Sequence, residues 1–186
     1  ALRHIPVGPD YDFMELFKRA VKHSIPKPLC VILSYPSNPT AQVVDLEFYR
    51  KIVEFCLEQQ IYIISDVAYS ELYFDGNPPP SVLQVPGAKD IAIEFTTLSK
   101  TYNMPGWRVG FGVGCRKLVA ALTRFKSYVD YGAFTPIQVA AVTALNGPQD
   151  CVAEIRAMYK ERRDALIEGL KQAGWDVPPP PATMFC

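Results

Sequence analysis

The chain has 186 residues, enough for one domain and the start of a second. Nineteen Lys and Arg balance nineteen Asp and Glu, which excludes an electrostatic case for nucleic acid or an anionic membrane as partner. Hydrophobic residues at 49% and aromatics at 12% exclude a disordered chain, and the longest aliphatic stretches, at 31–33 and 61–64, fall far short of the ~20 residues a membrane helix needs.

Residues 1–10 form a short apolar stretch ended by Pro and Gly. Residues 12–22 place Phe13, Leu16, Phe17 and Ala20 at helical spacing, and Pro26 and Pro28 stop that helix. Residues 30–33 read as a buried strand rich in β-branched side chains. Pro36 and Pro39 make 34–40 a loop. Asp45 is the expected cap of a helix whose face carries Leu46, Tyr49, Ile52, Val53 and Cys56. Further strands are expected at 61–64, 91–95 and 109–113, with a loop over 96–105. Helices follow at 116–128, 136–145 and 151–172, the last with Asp150 as cap and Val152, Ile155, Tyr159, Leu166 and Leu170 on one face.

Strands that are apolar without alternation, separated by helices, predict an α/β fold with a mainly parallel sheet flanked by helices. In such sheets ligands bind beyond the carboxyl ends of the strands, which singles out Asn38, Asp66, Tyr69, Thr97, Ser99 and Lys100. Seventeen prolines are nearly twice the usual share of ~5%, and the run at 178–181 reads as a stiff linker. Five cysteines, none in a Cys-x-x-Cys pair, predict reduced thiols. With His4 and His23 remote from all of them in sequence, no metal site is expected. The first residue is not Met, which predicts a natural start upstream. No basic-then-apolar leader is visible, and the chain reads as cytoplasmic.

A lysine in a polar loop is ordinarily a solvated surface charge. Lys100, however, has Thr97 and Ser99 just before it and Gly106 and Arg108 just after. Hydroxyls, one amine and one guanidinium suit a phosphate beside a reactive carbonyl: the guanidinium fork matches phosphate oxygens, and a deprotonated lysine is a Schiff-base nucleophile. Asp66 at a strand end reads either as a turn or cap residue or as a buried carboxylate in need of a partner. Tyr69, three residues on, shares its turn. Ser37-Asn38-Pro39 is by itself an ordinary turn.

Ser37-Asn38-Pro39-Thr40, Asp66-Val67-Ala68-Tyr69, and Ser99-Lys100 followed by Gly106-Trp107-Arg108-Val109-Gly110, in this order, resemble the class I/II aminotransferases. These are fold-type I enzymes that use pyridoxal 5'-phosphate (PLP). Asp75-Gly76-Asn77 before a proline run, and Thr135-Pro136-Ile137-Gln138, resemble the alanine (glutamate–pyruvate) and LL-diaminopimelate aminotransferases. The resemblance implies that Lys100 forms the internal aldimine and shuttles the proton between substrate and cofactor. It implies that Asp66 pairs with the pyridine nitrogen and that Tyr69 and Asn38 hydrogen-bond the phenolic oxygen. Thr97, Ser99 and Arg108 would hold the phosphate. Thr97 stands where serine is commoner, and Ala41 where a glycine often follows the Asn-Pro-Thr motif.

The resemblance further implies amino-acid and 2-oxo-acid substrates and a homodimer in the full-length enzyme, with residues 131–135 reaching toward the partner. Residues 1–177 would belong to the large PLP-binding domain, and 178–186 would be a linker and the start of a smaller C-terminal one. A phosphate-binding turn and a ring-stacking aromatic are expected before residue 1, and an arginine for the substrate carboxylate after residue 186, so the chain reads as the middle of a longer enzyme. Three rivals stand beside this reading. A nicotinamide-binding fingerprint at Gly110, Gly112 and Gly114 has its third glycine one residue early and lies within a strand, so close strand packing is the better account. A PLP-dependent lyase and an aminotransferase-like effector domain of a transcription regulator both stay open.

Overall fold

The computed structural model describes residues 2–8 and 10–186; Ala1 and Pro9 of the expected opening stretch lie outside the described residues. In chain order the elements are α1 (Phe13–Lys22), β1 (Cys30–Ser34), α2 (Leu46–Gln59), β2 (Tyr62–Asp66), α3 (Ala88–Ile91), β3 (Ala92–Thr97), α4 (Leu98–Thr101), β4 (Gly110–Gly114), α5 (Arg116–Val129), α6 (Thr135–Asn146) and α7 (Asp150–Gln172), with single 3-10 turns at Val82–Gln84 and Pro105–Trp107. The sheet order is β1-β2-β3-β4. β1, β2 and β3 are parallel, and β4 runs antiparallel to β3.

Local chemistry sets most of these boundaries. Asp12 Oδ1 accepts from Glu15 N at 3.0 Å and Asp45 Oδ1 from Phe48 N at 2.7 Å, each satisfying an otherwise unpaired donor in the first turn of its helix. Asp150 does not cap α7: Gln149 holds that position, and Asp150 is the first helical residue, where its charge still complements the helix dipole. The expected loop over 96–105 is also corrected. β3 continues through Thr97, and a short helix follows at once, because the Thr97 hydroxyl accepts from Ser99 N at 3.1 Å.

The core lies on one face of the sheet. Val31, Leu33 and Ile63 point from the strands into Phe17 and Val21 of α1 and Tyr49, Ile52, Val53 and Cys56 of α2, with Val82, Val85 and Ala88 closing one end. Each such fully buried aliphatic side chain contributes about 1.5–3 kcal/mol. The strands read in sequence as buried on both faces, yet the described residues cover only this one toward β1: Ile32, on the opposite face, is 61% exposed.

One carboxylate shares the covered face. Glu94 of β3 is buried and accepts from Ser81 Oγ at 2.7 Å, Val82 N at 3.1 Å and Ser65 Oγ at 3.4 Å. Tyr49 is fully buried beneath it, its hydroxyl without a partner. Burial raises the Glu94 pKa against the opposing pull of these donors. The native state therefore holds the Glu94 proton more tightly than the unfolded chain does. This contribution to stability is full at pH below the ordinary glutamate value and is lost as pH rises through the raised one. Glu94→Gln should flatten that slope, measured as unfolding free energy against pH in the full-length protein; an unchanged slope contradicts the assignment.

β4 approaches β3 unusually closely. A Cβ on Gly110 would stand 2.4 Å from the Thr96 carbonyl oxygen, and one on Gly114 would stand 2.3 Å from that of Ala92. Packing thus accounts for the glycine spacing. Gly110→Ala should cost about 1–3 kcal/mol by overpacking. Gly169→Ala, in open space on α7, should gain about 0.5–1 kcal/mol. Denaturant unfolding of the two variants checks both signs.

Candidate active site at the carboxyl edge of the sheet

The strand register brings the sequence-predicted residues to one edge. Ser34 pairs with Asp66 and Asp66 with Phe95, so β1 and β2 end together and β3 runs two residues further. β4 begins beside that end, Gly110 opposite Thr97. Arg108 precedes its strand, and only the antiparallel run of β4 puts it on the same edge as residues that follow theirs.

Beyond β1, residues 37–42 fold back on themselves. Ala41 N donates to Ser37 O and Ser37 N to Gln42 O, both at 2.9 Å, and the Ser37 and Thr40 hydroxyls bond each other. Ala41 is buried with φ 54°. That left-handed conformation explains why glycine suits the position and what the alanine costs, about 1–2 kcal/mol. The turn holds Asn38 exposed at the edge.

Beyond β2, Asp66 is exposed, not the buried carboxylate that was the functional alternative in sequence. Its Oδ1 accepts from Ala68 N at 3.1 Å, which makes the turn, and Oδ2 has no partner among the described residues. The turn carries Tyr69 inward to 7% exposure. Burial pushes its phenol above the ordinary value; the neighbouring Asn38 side chain pulls it down, and the Asp66 charge adds to the rise. Asn38, Asp66 and Tyr69 are therefore electrostatic neighbours.

Beyond β3, Lys100 sits half-buried on α4, its Nζ 5.8 Å from the centre of the Tyr69 ring. Among the described residues it has no ion pair. Ser99, buried on the same turn, leaves its hydroxyl free of hydrogen bonds to the described residues. The Thr97 hydroxyl caps α4 and reaches Val109 O over a long 3.4 Å bond. Arg108 is exposed at φ 53°, with Nη1 donating to Pro105 O at 3.0 Å. A non-glycine residue held in this region stores strain of the kind that gathers at functional sites.

Three contacts had no signal in the sequence reading. Phe185 packs edge-on against Tyr69, ring centres 5.5 Å apart at 72°. Arg156 bonds the Glu71 carboxylate at 2.9 Å. Arg163 of α7 is buried and makes a two-pronged bond to Asp75 at 2.8 and 3.3 Å. It falls eleven residues after Val152, three helical turns on the same face, while Leu166 turns outward. A cavity of about 390 Å³ lies close by, lined by Ser81, Glu94, Thr96, Thr97, Tyr102 and Phe111 among others. Lys100, Asp66, Tyr69 and Arg108 are not among its walls; they form an open edge beside it.

An unpaired amine, a carboxylate with a free oxygen, a buried phenol, and a hydroxyl and guanidinium free to donate fit an aldehyde-bearing pyridine phosphate. Comparison with known proteins agrees. The family model described as "Aminotransferase class I and II" matches residues 11–186. The chain is 61% identical over 184 residues to a relative named AatC from Rhizobium meliloti, and 52% identical over 184 residues to the glutamate-pyruvate aminotransferase AlaC of Escherichia coli. Both alignments cover 99% of this chain and 45% of the relative. The chain thus spans a little under half the length of these relatives. Among solved structures, N-succinyldiaminopimelate aminotransferase from Mycobacterium tuberculosis superposes with a TM-score of 0.85 at 28% identity, covering 96% of this chain and 46% of that one. Substrate-bound BacF from Bacillus subtilis gives 0.81 at 38%, covering 85% and 40%. Site chemistry, fold and sequence likeness agree, and the chain belongs to the class I and II aminotransferases, a family that uses pyridoxal 5'-phosphate.

Proposed function

We propose that the protein carrying this chain is a PLP-dependent aminotransferase. It exchanges an amino group between an amino acid and a 2-oxo acid, with alanine and glutamate, pyruvate and 2-oxoglutarate as its pairs. The observation that carries this reading is the Lys100 amine, free of any ion pair among the described residues and 5.8 Å from the Tyr69 ring, on the edge where Asp66 and Arg108 converge. The substrate pair follows the likeness to glutamate-pyruvate aminotransferase over nearly the whole chain. LL-diaminopimelate is the second reading, supported by a 46% identical LL-diaminopimelate aminotransferase of Moorella thermoacetica that covers 83% of this chain and 40% of the relative.

PLP, when bound, supplies an aldehyde for an amine and a ring that takes up electron density. Lys100 would supply the amine and would carry the proton from the substrate α-carbon to the cofactor. Asp66 would accept the hydrogen bond of the ring nitrogen through its free oxygen and keep that nitrogen protonated. Tyr69 and Asn38 would hydrogen-bond the phenolic oxygen. Ser99 and Arg108 would donate to the phosphate, joined by Thr97 if its hydroxyl proton left the long bond to Val109 O. On this reading residues 1–177 belong to the large PLP-binding domain and 178–186 lead into a smaller one. A reducing, cytoplasmic setting is part of this reading, on five cysteines none of which stands in a Cys-x-x-Cys pair. No helix among the described residues is long and apolar enough to cross a membrane.

In the full-length protein, borohydride treatment should fix PLP to Lys100, and Lys100→Ala should abolish that link. Labelling of Lys89, Lys117 or Lys126 instead overturns the assignment. Asp66→Ala should slow transamination of alanine with 2-oxoglutarate by several orders of magnitude while the fold persists; unchanged turnover reduces Asp66 to a turn residue.

A homodimer completes the proposal. Phe125, Tyr128, Tyr131 and Phe134 form an apolar surface along α5 and the turn into α6, Tyr131 being 93% exposed, and such a patch marks an interface. Sedimentation of the full-length protein at micromolar concentration should give a dimer, and Phe134→Glu should weaken it. A fully active monomer contradicts this.

A further inference from the structure

We infer that Phe185 is a positioning residue for Tyr69, holding the phenol in the orientation from which it can serve the cofactor. The inference rests on the function proposed above. Tyr69 has two neighbours at its ring: Lys100 Nζ stands 5.8 Å from its centre, and the Phe185 ring meets it at 5.5 Å and 72°. Edge-to-face contact fixes a ring's tilt as well as its place, and because a phenolic O–H prefers the ring plane, tilt sets the plane in which the proton points. Tyr69 lies on the edge that also carries Asn38, Asp66 and Lys100, so the direction of its hydroxyl matters to the polar side of the site.

Phe185 is itself braced. Residues 180–183 do not hang free. Tyr73 and Ala182 form an antiparallel bridge, Phe74 N donates to Pro181 O at 2.9 Å, and Thr183 N donates to Leu72 O at 2.7 Å. Thr183 is 1% exposed and left-handed at φ 74°, and its hydroxyl accepts from Phe185 N at 3.2 Å. Arg163 locks the other end. Its Nη1 donates to Pro180 O at 3.1 Å as well as to Asp75, and its guanidinium lies 4.7 Å from the Phe74 ring centre. A buried guanidinium with this set of partners is fixed in place. The path from α7 through Asp75 and the bridged segment to Phe185 is continuous, and it ends on Tyr69.

The test is a pH titration of the bound cofactor's absorbance in the full-length protein loaded with PLP, with no substrate present. Tyr69→Phe should move the midpoint. Phe185→Ala should move it the same way by less, and the double variant should move it no further than Tyr69→Phe alone, the signature of one residue acting through another. Phe185→Tyr, which keeps the ring, should restore the parent midpoint. Phe185→Leu keeps apolar volume without a ring and carries the test if the alanine variant does not fold. A midpoint moved by Tyr69→Phe but not by Phe185→Ala or Phe185→Leu overturns this inference alone, as do additive shifts in the double variant. A change in amino-acid preference with an unmoved midpoint also overturns it, and places Phe185 on the substrate. Absence of borohydride-fixed PLP in the parent protein overturns the proposed function and this inference with it.

Discussion

The close approach of β4 to β3 is the constraint on which the rest of the site depends. Gly110 and Gly114 leave no volume between their α-carbons and the Thr96 and Ala92 carbonyls. The residues before β4 are drawn tight against those after β3: Leu98 N donates to Val109 O at 3.2 Å, and Thr97 faces Gly110 across the ladder. Because the strand is antiparallel, this contact folds Arg108 back onto the edge that carries Lys100. A side chain at either glycine would push the strands apart, and with them the amine and the guanidinium. The left-handed backbone at Arg108 is a local cost of that fold-back.

Behind the sheet, stability and polarity are balanced differently. The apolar face of α2 closes over β1 and β2, but over β3 it meets Glu94. A buried carboxylate is tolerated only when its oxygens are satisfied. Here the segment 81–84 does so, with Ser81 both capping its own 3-10 turn and donating to Glu94. That turn has little sequence propensity of its own; the carboxylate gives it a reason to be where it is. The hydroxyl of Tyr49, fully buried without a partner, is the unbalanced member of this group, and burial together with the Glu94 charge raises its pKa.

On the other side of the site, α7 is fastened by charge more than by apolar area. Val152 and Arg163 are its buried residues. Arg156 and Arg163 reach Glu71 and Asp75, on the stretch that leads away from Tyr69. The Arg163 guanidinium holds the Asp75 carboxyl below its usual range. Asp75 is itself exposed, so the pair owes its value to geometry, a guanidinium fixed by several acceptors at once, more than to bulk Coulomb energy.

The sequence by itself determined the long helices, the approximate strands and the candidate edge. Helical spacing placed α1, the Asp45 cap fixed the start of α2, short apolar runs located four strands, and the order of Asn38, Asp66, Tyr69, Ser99, Lys100 and Arg108 carried the family resemblance. These features are local: they depend on neighbours within a few residues, which a sequence displays. Tertiary structure alone decided that β4 is antiparallel, that Asp66 stays exposed while Tyr69 is buried, that Arg163 belongs to the buried face of α7, and that Phe185 comes to rest on Tyr69. Most of these are pairings across long sequence separation, 88 residues for Arg163 and Asp75. No spacing rule encodes such partners. They are fixed only when register, close packing and the need to satisfy buried polar groups are met together.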